Sequence, residues 1–409
     1  MGEMIEIEEK FKLVHYDRKI QNKGNESSID FLNQGQAELA LGFHKSIEGY
    51  HPTPLQNLKG MATVCGIKEM FVKDESYRLK LNAFKVLGGA YAIARYIASQ
   101  LGENIADLPY ERMISDEIKN KLGEITFVTA TDGNHGRGVA WAANKLRQNS
   151  VVFMPKGSST ERLEKIKELG ANASITEFNY DGTVAHANEM AEKNGWIMVQ
   201  DTAWEGYEDI PVWIMQGYET MALETYQQMN GIKPTHIFLQ AGVGSMAGAV
   251  TGFYSNLYSN DRPIITIVEP NKADCFYRTA KSGKIEFVTG DMNTIMAGLA
   301  CGEPNTIGWE VLKNWADNFV SCPDYVTAKG MRMLASATDG DTKVISGESG
   351  AVTMGIVAEV MLNPNLKWLQ KKLSLDENSR GLVFSTEGDT DKSAYRDIVW
   401  DGKYPSYSM

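Results

Sequence analysis

Cysteine is scarce in these 409 residues. The four present, Cys65, Cys275, Cys301 and Cys322, form no C-x-x-C pair, which excludes a zinc knuckle and a thioredoxin-like redox site. The six histidines show no ligand spacing, so no metal is expected. A basic excess is missing too: 41 Lys and Arg against 52 Asp and Glu leave a net charge of −11. With no Lys/Arg-rich block, neither nucleic acid nor an anionic membrane is an expected partner. Long apolar runs are also lacking. The longest stretch without Asp, Glu, Lys or Arg, residues 234–260, is broken by Gly, Gln, Ser and Asn and does not read as a membrane span. The opening MGEMIEIEEKFKL has no apolar h-region, so no signal peptide is expected and the expected compartment is the cytoplasm. No internal repeat or low-complexity tract occurs. What remains is 43% hydrophobic and 23% charged, an ordinary globular composition of a length suited to two or three domains.

Residues 125–200 repeat one pattern. The β-branched runs ITFVT (125–129), VVFM (151–154), ASIT (173–176) and WIMVQ (196–200) alternate with helical stretches. The second of these helices opens on a capping-box spacing, Ser158-Ser159-Thr160-Glu161, and stops at Gly170. Strands alternating with helices of this length imply βαβ units and a parallel sheet. A second set of strands, MFVKDE (70–75), HIFLQ (236–240), IITIVEP (264–270) and LVFSTEGD (382–389), lies on either side of the first in sequence. The expected fold class is therefore α/β, with a small domain inserted in a larger, discontinuous one. The segment 283–305, rich in Gly, Met, Asn and Thr and without periodicity, reads as a long mobile loop.

Open α/β sheets bind ligands at the carboxyl ends of their strands. Four turns qualify: Thr131–Gly136, Asp201–Gly206, Gly242–Ser245 and Ser385–Asp389, and a common site between the domains is the natural inference. Gly242 to Ala247 fits G-x-G-x-x-A between a strand and a helix. That pattern suits a dinucleotide, with Glu269 as ribose acid, or a phosphate alone, or a tight structural turn. Lys85 discriminates. Asn82 reads as the N-cap of a helix whose apolar positions are Phe84, Leu87, Tyr91, Ala94, Ala98 and Leu101, which places Lys85 in the first turn. A cation gains nothing there from the dipole, and an amine with its protonated form disfavoured suits Schiff-base chemistry.

The ordered set KDES…LNAFKVLGG, TDGNHG, AGVGSMAGAV…IVEP and STEGDTD resembles the fold type II pyridoxal-phosphate enzymes, which include serine and threonine dehydratases, cysteine synthase and the tryptophan synthase β chain. The resemblance runs from about His51 to the end. It implies two parallel or mostly parallel sheet domains: 1–88 with 218–409 as the large cofactor-binding domain (1–50 an N-terminal extension), and 89–217 as the small one. It implies pyridoxal 5′-phosphate held by Lys85 as a Schiff base with Phe84 beside it. Asn134 then meets the 3′ oxygen, and the backbone of Gly242, Val243, Gly244 and Ser245 holds the phosphate. Thr386, or Ser385 if the register slips by one, meets the pyridine nitrogen, and Glu348 loosely resembles a segment near the ring. His135 is expected to orient its loop. Family members flank the mobile loop with a cysteine pair, as Cys275 and Cys301 do here, although reducing conditions oppose a permanent bridge.

One departure from the dehydratases is informative. Their substrate-carboxylate turn begins with serine, where this chain has Thr131-Asp132. An acid at Asp132 repels a carboxylate but suits an ammonium or acts as a base, unless it only caps the next helix. Asp201 adds a second acid at the same sheet edge, unless it is a hydrogen-bonded turn residue. Two such acids favour a substrate with two amino groups. The resemblance, extended through QDTAWEGYEDIP, implies α,β-elimination of D- and L-2,3-diaminopropionate to pyruvate and two ammonia, Asp132 serving the D and Asp201 the L isomer. It also implies a homodimer with a small amino-acid substrate. The alternatives are a serine or threonine dehydratase, a nicotinamide dehydrogenase (which leaves Lys85 unexplained) and a non-catalytic pyridoxal-phosphate-binding protein.

Overall fold

The computed structural model describes residues 11–16, 28–131 and 133–406. Among them are eleven strands: β1 (Lys12–His15), β2 (Leu55–Asn57), β3 (Glu69–Asp74), β4 (Thr126–Ala130), β5 (Asn149–Met154), β6 (Asn172–Ile175), β7 (Ile197–Met198), β8 (His236–Gln240), β9 (Ile264–Pro270), β10 (Asn318–Cys322) and β11 (Arg380–Ser385). The protein is α/β, and its chain divides into two compact units. The larger takes the described residues within 1–30, 52–83 and 224–409, and the smaller takes 31–51 and 84–223. The units change over at 83/84 and 223/224, where the sequence reading cuts at 88/89 and 217/218. The smaller also gains the helix Gln34–Ser46.

The larger unit has a seven-stranded sheet in the order β1-β10-β9-β8-β11-β3-β2. Its five inner strands are mutually parallel, and only the edges β1 and β2 pair antiparallel. The continuous apolar runs of β8 and β9 follow from this, because parallel strands are covered on both faces. On one face the helices Asp324–Ser336 and Glu348–Leu362 pack Val326, Met331, Val352 and Ile356 against Phe238, Val268, Val320 and Val383. Between Ser282 and Thr306 the one regular element is the short 3-10 turn Ala297–Leu299.

The smaller unit has a four-stranded, all-parallel sheet in the order β6-β5-β4-β7. Alternation splits its two cores: Val151 and Phe153 face Ala187 and Ala191, while Val152 and Met154 face Ala140 and Ile166. The helix Thr160–Lys167 starts one residue later than the Ser158–Glu161 capping box expects: Ser159 is the N-cap, its hydroxyl accepting from Arg162 N.

One local expectation is corrected. Asn82 is not an N-cap. It sits in the left-handed region at φ +58°, its carbonyl accepts from Gly388 N at 3.1 Å, and its side chain donates to Asp389 at 3.2 Å. The helix runs Val86–Leu101, and Lys85 is its cap residue. Asparagine favours N-caps and left-handed turns alike, so the sequence alone does not separate the two.

Candidate active site

In the smaller unit Lys85 meets an acid. Its Nζ donates to Asp201 Oδ2 at 2.5 Å, and the Asp201 side chain is buried. Burial alone raises that carboxyl, but the Lys85 ammonium, His135 and hydrogen bonds from Lys85 and the Asp201 amide outweigh it and hold the group at about 2. The lysine therefore sits beside an anion as well as a helix N-terminus. His135 Nε2 lies 2.8 Å from the Val199 carbonyl, so that nitrogen carries the hydrogen, and Nδ1 faces Asp201 at 3.9 Å.

The Asp201 turn is held from behind. Gln200 Oε1 accepts from Thr129 Oγ1 at 2.8 Å and from Ala130 N at 3.2 Å, and its amide donates to Tyr180. The Tyr207 hydroxyl receives Gln200 N at 2.7 Å and donates to the Met198 carbonyl. Asp201 is therefore anchored to β4 and β7 through its neighbour. Asn134 is the first residue of the helix Asn134–Lys145, and this helix crosses the lysine helix at backbone contact. A Cβ on Gly138 would lie 2.9 Å from Val86 Cα and 3.1 Å from the Lys85 carbonyl carbon. Only glycine permits that approach. Asp132 lies outside the described residues.

In the larger unit Gly242–Ser245 follows β8 and leads into the helix Ser245–Tyr258. Gly244 caps it at φ +94°, and a side chain there would strike the Phe276 ring. Asn305 braces the turn: its N donates to the Val243 carbonyl at 2.7 Å and its Nδ2 to Ser245 Oγ at 2.9 Å. Thr386 Oγ1 accepts from Gln240 Nε2 at 2.8 Å, which leaves its own O–H as a donor. Ser385 Oγ instead donates to Ser346 at 2.8 Å. Glu348 opens its helix with a buried side chain, and its carbonyl accepts from Thr327. Glu269 is no ribose acid, since its oxygens accept from Phe276 N and Tyr277 N at 2.9 and 2.7 Å, capping the helix Cys275–Ser282. Cys275 and Cys301 are not bridged to each other.

A glycine turn at a helix N-terminus braced by Asn305 is fit for a phosphate, and a half-buried amine beside a buried acid is fit for a carbonyl. A family model described as "Pyridoxal-phosphate dependent enzyme" matches residues 47–366. Diaminopropionate ammonia-lyase of Escherichia coli K12 is 52% identical over 383 residues, covering 93% of this chain and 95% of that protein. The chain belongs to the pyridoxal-phosphate-dependent enzymes, in the diaminopropionate ammonia-lyase family. Another family member, from Salmonella typhimurium, is 47% identical over 96% of this chain and 99% of its own. The E. coli enzyme solved with an aminoacrylate-PLP azomethine reaction intermediate superposes with a TM-score of 0.88 at 49% identity, covering 97% and 98% of the chains. Its complex with D-serine gives 0.89 at 50% identity, covering 97% and 99%. The residues fit the family's cofactor. Thr386 offers a neutral donor for a ring nitrogen, the 242–245 turn a phosphate cradle, and Lys85 an amine.

Sequence reasoning missed Gln240, Asn305 and Gln200. Gln240 and Gln200 each end or follow a predicted strand, which is a usable signal. Asn305 lay in the segment read only as a loop. Among the described residues no helix is long and apolar enough to cross a membrane, and no group of three His, Cys, Asp or Glu has the geometry to hold a metal.

Proposed function

We propose that this chain catalyses α,β-elimination of 2,3-diaminopropionate, in both isomers, to pyruvate and two ammonia. The carrying observation is the 2.5 Å pairing of Lys85 with the buried Asp201, a covalent anchor and an ionised base side by side. Bound pyridoxal phosphate supplies the electron sink that makes the α-proton labile. Lys85 holds the cofactor carbon, and the Gly242–Ser245 backbone with Ser245 holds the phosphate. Thr386 donates to the ring nitrogen without charging it, which suits elimination better than transamination. Asp201 accepts the α-proton of the L isomer and Asp132 that of the D isomer. Lys85, released when substrate binds, returns a proton to the departing β-amino group. The enzyme acts as a cytoplasmic homodimer, a reading supported by family likeness.

Pyruvate release from D- and L-diaminopropionate, measured beside D- and L-serine, tests this reading. Both diamino acids are expected to turn over faster than either serine, and the reverse order would make the chain a dehydratase. Asp201→Asn is expected to lower turnover of the L isomer by about 10²- to 10⁴-fold and largely spare the D isomer.

A further inference from the structure

Tyr218 lies in the helix Asp209–Gln228, and its hydroxyl is buried with no hydrogen-bond partner among the described residues. Its ring packs on Phe84 at 4.8 Å and fills the space that Gly88 leaves, where a Cβ would stand 2.6 Å from the ring. The phenol therefore lies against the first turn of the lysine helix, within electrostatic reach of Lys85 and Asp201. A buried hydroxyl without a partner is costly and calls for a reason.

The reason follows from what Lys85 must do. In the structure its ammonium donates to Asp201. An amine that forms a covalent bond to a carbonyl carbon cannot keep that role unchanged, and a buried carboxylate that loses its cationic donor is penalised. The titratable groups facing Asp201 among the described residues are Lys85, His135, Tyr207 and Tyr218. Tyr207 already donates to Met198. His135 commits Nε2 to the Val199 carbonyl, and its Nδ1 stands 3.9 Å from Asp201, beyond hydrogen-bond distance. Tyr218 is the donor left over.

We propose that the Tyr218 hydroxyl is a positioning donor that takes hold of the Asp201 carboxylate when Lys85 is withdrawn to the cofactor. This rests on the reading of Asp201 as a base. The hydroxyl keeps the acid ionised and aimed while the lysine is engaged, and it does not itself touch the α-proton.

Tyr218→Phe tests the inference, because it keeps the ring packing and removes one oxygen. The cofactor-free variant is expected to melt at the parent's temperature or slightly above, since the lost hydroxyl had no partner there. In the loaded enzyme, losing a donor to a carboxylate raises its pKa. The acidic limb of kcat/KM for L-diaminopropionate should then move up by about one pH unit, the size expected of one charged hydrogen bond, with the D isomer little changed. The visible absorbance of the loaded protein, titrated with acid, should likewise change at higher pH. Gly88→Ala, which displaces the phenol, should shift both midpoints in the same direction. An unmoved limb and an unmoved absorbance midpoint in Tyr218→Phe overturn the inference. Asp201→Asn is run in parallel. If it turns over both isomers like the parent, the base assignment fails, and the absorbance titration alone decides whether Tyr218 holds Asp201.

Discussion

Lys73 meets Glu224 at 2.6 Å in the larger unit, and Lys85 meets Asp201 at 2.5 Å in the smaller one. The two pairs are nearly equal in length, but their surroundings differ. The Lys73 side chain is fully buried, and its three N–H donors reach the Thr53 carbonyl, Glu224 and Gln228 at 2.7, 2.6 and 2.8 Å. Arg78 lies beside it, bonded to both Glu75 and Glu224. Every charge there has an opposite neighbour. The Lys85 side chain is 21% exposed, and beside it lies a buried phenol without a hydrogen-bond partner among the described residues. Matched buried charges hold a fold in one arrangement. A buried pair left open to solvent and flanked by an uncommitted donor has capacity in reserve for chemistry.

The comparison breaks most sharply at the lysines. Lys85→Ala should lower pyruvate formation by more than about 10⁴-fold while leaving the melting temperature of the cofactor-free protein nearly unchanged. Lys73→Ala should do the opposite, yielding little folded protein but parental turnover per folded molecule. Activity normalised to folded fraction checks both, and a Lys73 variant inactive when folded would dissolve the distinction.

Next in size is Glu224→Gln, which strands Lys73 and Arg78 with less than their share of anion. Urea unfolding should show a loss of about 3–5 kcal/mol. Burial raises the Glu224 carboxyl, but Arg78 and Lys73 outweigh it and hold the group at about 2. A depressed carboxyl stabilises above its unfolded value near 4.5 and loses that contribution as pH falls toward 2. The penalty of Glu224→Gln should therefore shrink in acid, and an equal penalty at pH 7 and pH 3 would argue against it.

The smallest effect is expected at Glu219, the residue after Tyr218. Among the described residues neither of its carboxyl oxygens has a hydrogen-bond partner, and burial pushes its pKa well above the ordinary value. A carboxyl raised in the fold contributes fully below its unfolded pKa, and the contribution is lost as pH rises toward the folded value. Glu219→Gln should thus change the melting temperature little at pH 4 and raise it by a few degrees at pH 7.5. A lower melting temperature at neutral pH would mean that Glu219 is ionised and paired.

Much of this was legible in the sequence wherever the local signal and the tertiary role coincide. The inner strands β3, β8, β9 and β11 were readable as apolar runs because parallel strands need apolar residues on both faces. Strand β10, NFVSC, was missed, since Asn318 and Ser321 break its run although every residue of it is buried. Lys85, Asn134 and the 242–245 turn stood out as motifs, and Asp201 by ending a strand. Tyr218 did not, because an apolar ring at helical spacing reads as core and only the fold shows that its hydroxyl lacks a partner. A signal existed all the same: Glu219 and Glu224 flank the apolar run Met221–Leu223, and acids inside such a stretch mark buried polar groups.

Gly138 has a consequence for anyone who would reshape the enzyme. Any side chain there would strike the backbone of the lysine helix, so Asn134 and Lys85 ride on what amounts to a single casting. A mutant library spread evenly over residues 131–138 would lose many members to a jammed crossing before any was judged on its catalysis. A library that leaves Gly138 alone and varies Thr131 and the 202–206 turn would sample new side-chain preferences with the anchor still seated. Evolution faces the same asymmetry: the specificity of this scaffold can drift at the turns, while the crossing beneath them stays fixed.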